Sequence, residues 1–321
     1  VIGKIEDAVL DTDGYVTEIV LDTKQKLKTD FIFDCTGFSR FFVNKVYNSP
    51  VKSYENILPV KRAMPFWLDN TGTDPTPPFT EAIAMKYGWM WKIPVGKRYG
   101  CGYVFDSDLV SDEEAYEEIC EVTKQKPHIR KKITFKPEYH TKPFNKNVLA
   151  LGLSHGFLEP LEATSLLITS QMLVSLFSHI PNRDLIDRYK RESFTECYNK
   201  YIMKYVDNCV YMVHIHYLTP RTDTEFWKNF KNNSPEDVSR ILKLVKEYDV
   251  TKPNDARKMF PFSIINFLKC MSGVQELDKE LIDRNTRPHL RSEIRNKIAQ
   301  CEYLAERSMT HDTLLNELTS T

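Results

Sequence analysis

Hydrophobic and polar positions change rhythm several times along the chain, and each change marks an element. Residues 1–22, VIGKIEDAVLDTDGYVTEIVLD, carry two arms of strand-like alternation about a turn at Asp13-Gly14, the pattern of a β-hairpin. DFIFDCTGF at 30–38 reads as an inner strand, Phe31-Ile32-Phe33, running into Asp34-Cys35-Thr36-Gly37. Residues 39–80, with Pro50, Pro59, Pro65, Pro75, Pro77 and Pro78, read as an irregular crossover. Alternation returns at 81–106, where EAIAMKYGWMWKIPV, a turn at Gly96-Lys97 and YGCGYVFD predict an antiparallel sheet. Trp89 and Trp91 are two apart and therefore share one face of their strand. Ser111-Asp112-Glu113-Glu114 opens a helix to about Lys124, its first turn acidic as the helix dipole favours. Residues 133–146 read as extended.

The segment NVLALGLSHGFLEPLEATSLLITSQMLVSLFSHI at 147–180 organises the rest. It predicts a buried strand from Val148 to Leu151, a turn through Gly152 and Gly156, then Pro160 and about four turns of apolar helix from Thr164 to His179. Strand, glycine turn and helix start bring bare backbone amides up to an anionic or electron-rich ligand. Glu159 and Glu162 stand just before the helix, where they also suit a capping cluster at the positive dipole end. Thr169, Ser170, Gln171 and Ser175 interrupt the apolar run, which favours a core helix over a membrane span. Beyond 181 the pattern is helical. Tyr189, Phe194, Cys197, Tyr198, Tyr201, Ile202, Tyr205, Val206, Cys209 and Val213 fall within 184–217 as one long stripe expected to be buried. A further amphipathic helix over 234–248 follows Ser234-Pro235. His214 and His216, two apart, diverge on a helix and hold no metal together.

Composition narrows the function. A chain of 321 residues holds one large domain or two. Lys plus Arg and Asp plus Glu each number 44, so net charge is zero and nucleic acid is disfavoured as a partner. Seven cysteines without a CxxC spacing point to a reducing compartment and away from disulfides or zinc. With no signal peptide or membrane span in view, the expected location is cytoplasmic. No GxGxxG occurs, and Val1 begins in mid-pattern; the expectation is the C-terminal part of a longer protein.

Four motifs in order resemble the flavin-dependent halogenases, typified by the tryptophan halogenases. They are Asp34-Cys35-Thr36-Gly37; Trp89, Trp91, Ile93 and Pro94 of a WxWxIP motif; Phe157-Leu158-Glu159-Pro160-Leu161-Glu162; and HYLTPRTDTEFW at 216–227. The resemblance implies an α+β fold. Residues 1–60 would be the remainder of the FAD-binding domain, 61–146 a substrate-side antiparallel layer, 147–180 a return to the FAD domain with the halide-site helix, and 181–321 a helical substrate region. It implies FAD, reduced by a separate flavin reductase, near Thr36, Gly37, Gly152, Leu153 and Leu166. It also implies a halide (chloride, bromide or iodide) at Thr164 and Ser165, and a passage shaped by Trp89, Trp91, Ile93, Pro94, Phe157 and Pro160. Glu162 matches the family's functional glutamate, which orients the oxidant or takes the ring proton. The family's catalytic lysine would precede Val1.

This sequence departs from the pattern in three places. Ala163 replaces the usual serine and Ser165 the usual glycine, which narrows the halide pocket. Residues 250–272 contain no Tyr, Glu or Trp, whereas tryptophan halogenases hold free tryptophan there with a Tyr-Tyr pair, a glutamate and a tryptophan. The expected substrate is therefore another small aromatic, a phenol or an indole. The Gly-poor composition, 11 glycines, fits a viral or marine member better than an actinobacterial one, and a homo-oligomer is compatible with it. Two rivals stay open: a flavin-dependent aromatic hydroxylase, and a non-catalytic fragment that binds FAD or an aromatic ligand.

Overall fold

The computed structural model describes residues 1–70, 76–179, 188–232, 234–247 and a few positions between 261 and 303. In chain order its strands are β1 (Ile5–Leu10), β2 (Val16–Leu21), β3 (Lys26–Lys28), β4 (Ile32–Asp34), β5 (Val51–Ser53), β6 (Arg62–Asp69), β7 (Glu81–Ala84), β8 (Gly88–Val95), β9 (Arg98–Phe105), β10 (Ile133–Thr134), β11 (Glu138–His140), β12 (Phe144–Asn145), β13 (Val148–Ala150) and β14 (Gly156–Phe157). Its helices are α1 (Asp112–Thr123), α2 (Thr164–His179), α3 (Arg188–His216), α4 (Glu225–Asn232) and α5 (Glu236–Glu247). Strands and helices are mixed, as an α+β chain requires, and divide into two compact units: residues 1–59 with 136–214, and 60–135 with 215–321.

In the first unit the expected hairpin forms. β1 and β2 pair antiparallel about a turn in which Gly14 takes φ +83°, and β3 adds to β2. A second small sheet runs β12-β13-β4, and its β13–β4 pair is parallel, joining Ile32 to Val148 and Asp34 to Ala150. The two sheets are tied by buried Asn147, which donates to Val16 O (2.7 Å) and Asp30 O (3.1 Å) and accepts from Val16 N (2.9 Å). Val16, Ile32, Phe42 and Val148 close the core beneath that joint. On α3, Asn199 exchanges two 3.0 Å bonds with the backbone of Phe144 and docks the helix on β12.

The second unit is built on a five-stranded sheet, order β10-β6-β9-β8-β7. One face packs Met64, Phe66, Met90, Cys101, Tyr103 and Phe105 against Ala115 and Ile119 of α1. α1 starts with a capping box: Ser111 Oγ accepts from Glu114 N and the Glu114 carboxylate accepts from Ser111 N. The motif at 216–227 is a clamp on the β7–β8 turn. Arg221 donates to Ala84 O (3.0 Å), Trp227 Nε1 to Met85 O (2.8 Å) and Thr224 Oγ1 to Lys86 O (2.7 Å).

Four expectations need correction. The strand at 31–33 is an edge strand among the described residues, with Phe33 42% exposed, because only β13 pairs with it. Residues 39–80 are not all irregular: β6 runs through Pro65, which a strand tolerates where the N-side neighbour is absent, and β10 reaches only Arg62 and Ala63. The stripe on α3 is buried from Tyr198 through Val213, but Cys197 and Tyr201 lie exposed. α2 is not fully a core helix. It buries Thr164, Ile168, Met172 and Leu176 yet leaves Leu166, Val174 and Phe177 more than half exposed. Leu161–Ser178 is long and apolar enough to cross a membrane by length and composition alone, and 33% of it is buried.

Candidate active site

Two turns in the first unit meet side by side. After β4 the chain bends at Thr36 and Gly37, and after β13 it bends at Gly152, Leu153 and Ser154. Parallel pairing of β4 and β13 forces this, since both strands end at the same level. The two turns are bonded through polar side chains. Asp34 Oδ1 accepts from Thr36 N (2.9 Å), Thr36 Oγ1 (2.6 Å) and Ser154 Oγ (3.2 Å), and Ser154 Oγ accepts from Gly37 N (2.9 Å). Thr36 Oγ1 also accepts from Phe41 N at 3.1 Å. Arg40 closes the back of the turn, donating to Leu153 O and forming an ion pair with Glu138.

Gly37 and Gly152 adopt φ +67° and +58°, left-handed values that suit glycine. A Cβ placed on Gly37 would have no atom within 4 Å. Backbone held from behind and open in front at Gly37 leaves room for the edge of a planar ring such as a flavin.

The second cluster lies at the start of α2. Glu162 and Ala163 take φ +58° and +49°, two successive left-handed residues that turn the chain sharply into the helix. This places Glu159 and Glu162 differently: Glu159 is fully buried, whereas Glu162 is exposed. Thr164 is fully buried and Ser165 half-buried, and both hydroxyls lack a hydrogen-bond partner. Leu166, read as a cofactor contact, is 72% exposed. Pro160 is half-buried before the turn, and half-buried Phe157 sits on β14 with its ring 6.0 Å from that of Phe38. The first four N–H groups of a helix have no intrahelical acceptor, and the dipole there is positive, so this end suits an anion.

The tryptophans belong to the sheet of the second unit, on the face opposite α1. Trp89 and Trp91 share that face as expected, with ring centroids 6.0 Å apart. Register places Trp91 across from Gly102 and Ile93 across from Gly100. A Cβ on Gly102 would stand 2.1 Å from the Trp91 ring, so glycine is what lets the indole lie flat over β9. Pro94 sits beyond the last β7 pairing, where its missing N–H leaves no ladder bond unmade. On the same face Trp67 and Ile93 are each 40% exposed and Trp91 is half-buried, whereas Trp89 is buried.

Sequence reasoning missed Asp34 as the acceptor that organises the first turn, Ser154 as its link to the second, and Tyr139, which lies buried beside Ser165. His155, a neighbour of Ser154, is buried with its pKa pushed down to about 3 by desolvation and stays neutral.

The fold is similar to that of solved flavin-dependent halogenases. Tar14, a tryptophan C-6 flavin-dependent halogenase (chlorinase) from taromycin biosynthesis, superposes with a TM-score of 0.82 at 24% identity, over 100% of this chain and 64% of that one. BrvH, a flavin-dependent halogenase from Brevundimonas sp. BAL3, gives 0.80 at 26% identity, over 98% and 64%. The tryptophan halogenase family model matches residues 1–283, and the chain belongs to that family. Among curated relatives, tryptophan 7-halogenase RebH of Lentzea aerocolonigenes is 31% identical over 232 residues, 70% of this chain and 42% of its own length. Tryptophan 6-halogenase SttH of Streptomyces toxytricini is 29% identical over 273 residues, 82% of this chain and 49% of its own. The chain thus spans about half the length of the curated relatives it matches.

Proposed function

We propose that the chain is the halide- and substrate-bearing part of an FADH2- and O2-dependent halogenase acting on a small aromatic, a phenol or an indole, other than free tryptophan. The observation that carries this is the start of α2, where the Glu159-Pro160-Leu161-Glu162 turn delivers two unpartnered hydroxyls, on Thr164 and Ser165, to a positive helix end. FAD, reduced by a separate flavin reductase, supplies with oxygen the oxidising equivalents that turn chloride, bromide or iodide into hypohalous acid. The chain's own residues do the rest. Gly37 and Gly152 seat the cofactor, and Thr164 and Ser165 hold the halide. Within the second unit Trp89 and Trp91, with Ile93 and Pro94, would screen substrate from flavin, and within the first unit Phe157 and Pro160 would line the approach to the α2 start. Glu162 takes the proton that the ring releases on substitution. Its exposure suits a group that must exchange that proton. The substrate reading rests on the absence of Tyr, Glu and Trp from residues 250–272, most of which lie outside the described residues. The cytoplasm, where reductase and reduced flavin are available, is the proposed location.

The test supplies the natural-length protein with FAD, NADH, a flavin reductase, oxygen and bromide, and offers a panel of phenols and indoles. Mass spectrometry should find a bromine isotope doublet that fades in Glu162→Gln. Products that gain only oxygen would install the hydroxylase in its place, and peroxide release without product from the whole panel would favour the ligand-binding fragment.

A further inference from the structure

The first turn of α2 carries more polar atoms than its surroundings satisfy. Buried polar groups are almost always hydrogen-bonded, and an orphan signals a missing partner. Here two adjacent side chains are orphaned, Thr164 Oγ1 and Ser165 Oγ, and Thr164 is 0% exposed. Both stand at the N-terminus of a 16-residue helix entered through the left-handed pair Glu162-Ala163. Two donors without acceptors at a positive helix end define an anion site.

Tyr139 on β11 brings a third hydroxyl. Its side chain is 1% exposed and held on two sides. Gly156 lies across the ladder from it, where a Cβ would stand 2.4 Å from the phenol ring, and the His155 ring packs edge-on at 4.6 Å. These contacts fix the ring and bring its hydroxyl near Ser165. Desolvation raises the Tyr139 pKa while the Ser165 contact opposes the rise, so the phenol stays a proton donor at neutral pH. Ser165 Oγ still has no hydrogen bond of full geometry. The two hydroxyls are close but not committed to each other, which leaves both free to turn toward an acceptor.

We propose that the Ser165 and Tyr139 hydroxyls close around the halide beside Thr164 and set a preference for chloride over bromide and iodide. The proposal rests on the halogenase reading and deepens it. Chloride is the smallest of the three and accepts the strongest hydrogen bonds, so each added O–H donor favours it most. The serine side chain also fills space that glycine would leave for a larger ion. Tyr139 is a specificity-determining residue here and takes no part in bond making.

The experiment measures halide binding directly, on the 321-residue chain, by chloride-35 NMR line broadening with bromide and iodide as competitors at constant ionic strength. Wild type should bind in the order chloride, bromide, iodide. A hydrogen bond to a charged group supports a loss of about tenfold or more in chloride affinity for Ser165→Ala, with a smaller loss for bromide. Ser165→Gly should show the same loss together with relief for iodide, and Tyr139→Phe a partial loss in the same sense. Melting curves of the variants check that they fold. An unchanged chloride-to-bromide ratio in both Ser165→Ala and Tyr139→Phe overturns the proposal. So does a ratio that moves only in Ser165→Gly, since volume alone would then decide it. Absence of halide binding overturns it too, and the bromination assay described above, scored by product mass, then decides separately whether the halogenase reading falls with it.

Discussion

Ser154→Ala is the substitution that most directly tests how the two turns after β4 and β13 are held together. The Ser154 hydroxyl is fully buried; it accepts from Gly37 N at 2.9 Å and donates to Asp34 Oδ1 at 3.2 Å. Alanine removes both bonds and opens a void of one oxygen, too small for a replacement water. Gly37 is half-buried, so its orphaned N–H regains some hydration, whereas Asp34 is 1% exposed and loses one of three donors on Oδ1. A buried group left unpaired costs ~1–3 kcal/mol, and the bond to a carboxylate lies in the upper part of that range. The sum for Ser154→Ala is about 2–4 kcal/mol. Urea denaturation should show this as a lower midpoint with an unchanged slope. A cycle with Asp34→Asn should give a coupling of roughly 0.5–3 kcal/mol, because the two side chains share one network. A loss below about 0.5 kcal/mol, or full additivity in the cycle, would refute the claim that Ser154 joins the two turns.

Three further outcomes are expected. Gly102→Ala puts a methyl 2.1 Å from the Trp91 ring and should displace the indole, with a shift in tryptophan emission and ~1–3 kcal/mol of destabilisation; an unshifted spectrum at wild-type stability would show that the ring does not lie on β9. Trp227→Phe deletes the bond to Met85 O and should cost about 1–3 kcal/mol, read by thermal unfolding, while Lys228→Ala beside it on α4 should cost less than ~0.5. Acid should destabilise the chain above the carboxylate range. The folded-state pKa of His155 is depressed to about 3, so the unfolded chain binds a proton below about pH 6.5 that the folded chain refuses. Stability then falls as pH drops, by up to ~2–3 kcal/mol between pH 6.5 and 4.5, and His140 and His214, lowered by the same desolvation, act in the same direction. His155→Gln should flatten that slope, and a slope that survives the substitution undiminished would remove His155 as its source.

What was legible in the sequence follows the range of each interaction. Ser111 and Glu114 are three residues apart, and their capping box is complete within one helical turn, so the pattern alone located the start of α1. Gly96 turns β8 into β9 within two residues, and the strands on either side alternate as read. Pairing across more than a hundred residues left no such trace. Asp34 and Ser154 are 120 apart, and nothing in D-C-T-G or L-S-H-G announces that one serine serves both turns. Tyr139 was hidden at shorter range, since no local pattern announces that its hydroxyl lies near a helix that begins 25 positions later. Composition could not reveal the two-sidedness of α2 either, because the helix is apolar on nearly every side and periodicity has little contrast to work with.

The two clusters, one in each unit, rest on different kinds of support. The Trp89–Trp91 pair is set by sheet register: each indole is paired with a β9 residue fixed by the ladder, and Gly102 leaves room for the Trp91 ring over β9. The α2 start is marked by strained backbone, Glu162 and Ala163 at positive φ with no glycine to relieve them. Register is costly to shift, because a slip of one residue would turn every side chain to the other face. Strained, incompletely satisfied backbone persists only where the surrounding structure over-determines it. The two left-handed residues and the two orphan hydroxyls, all within 162–165, are thus best explained together. A ligand that accepts from both hydroxyls supplies on binding the hydrogen bonds that protein groups do not, and an anion at the positive end of α2 meets that requirement with the fewest added atoms.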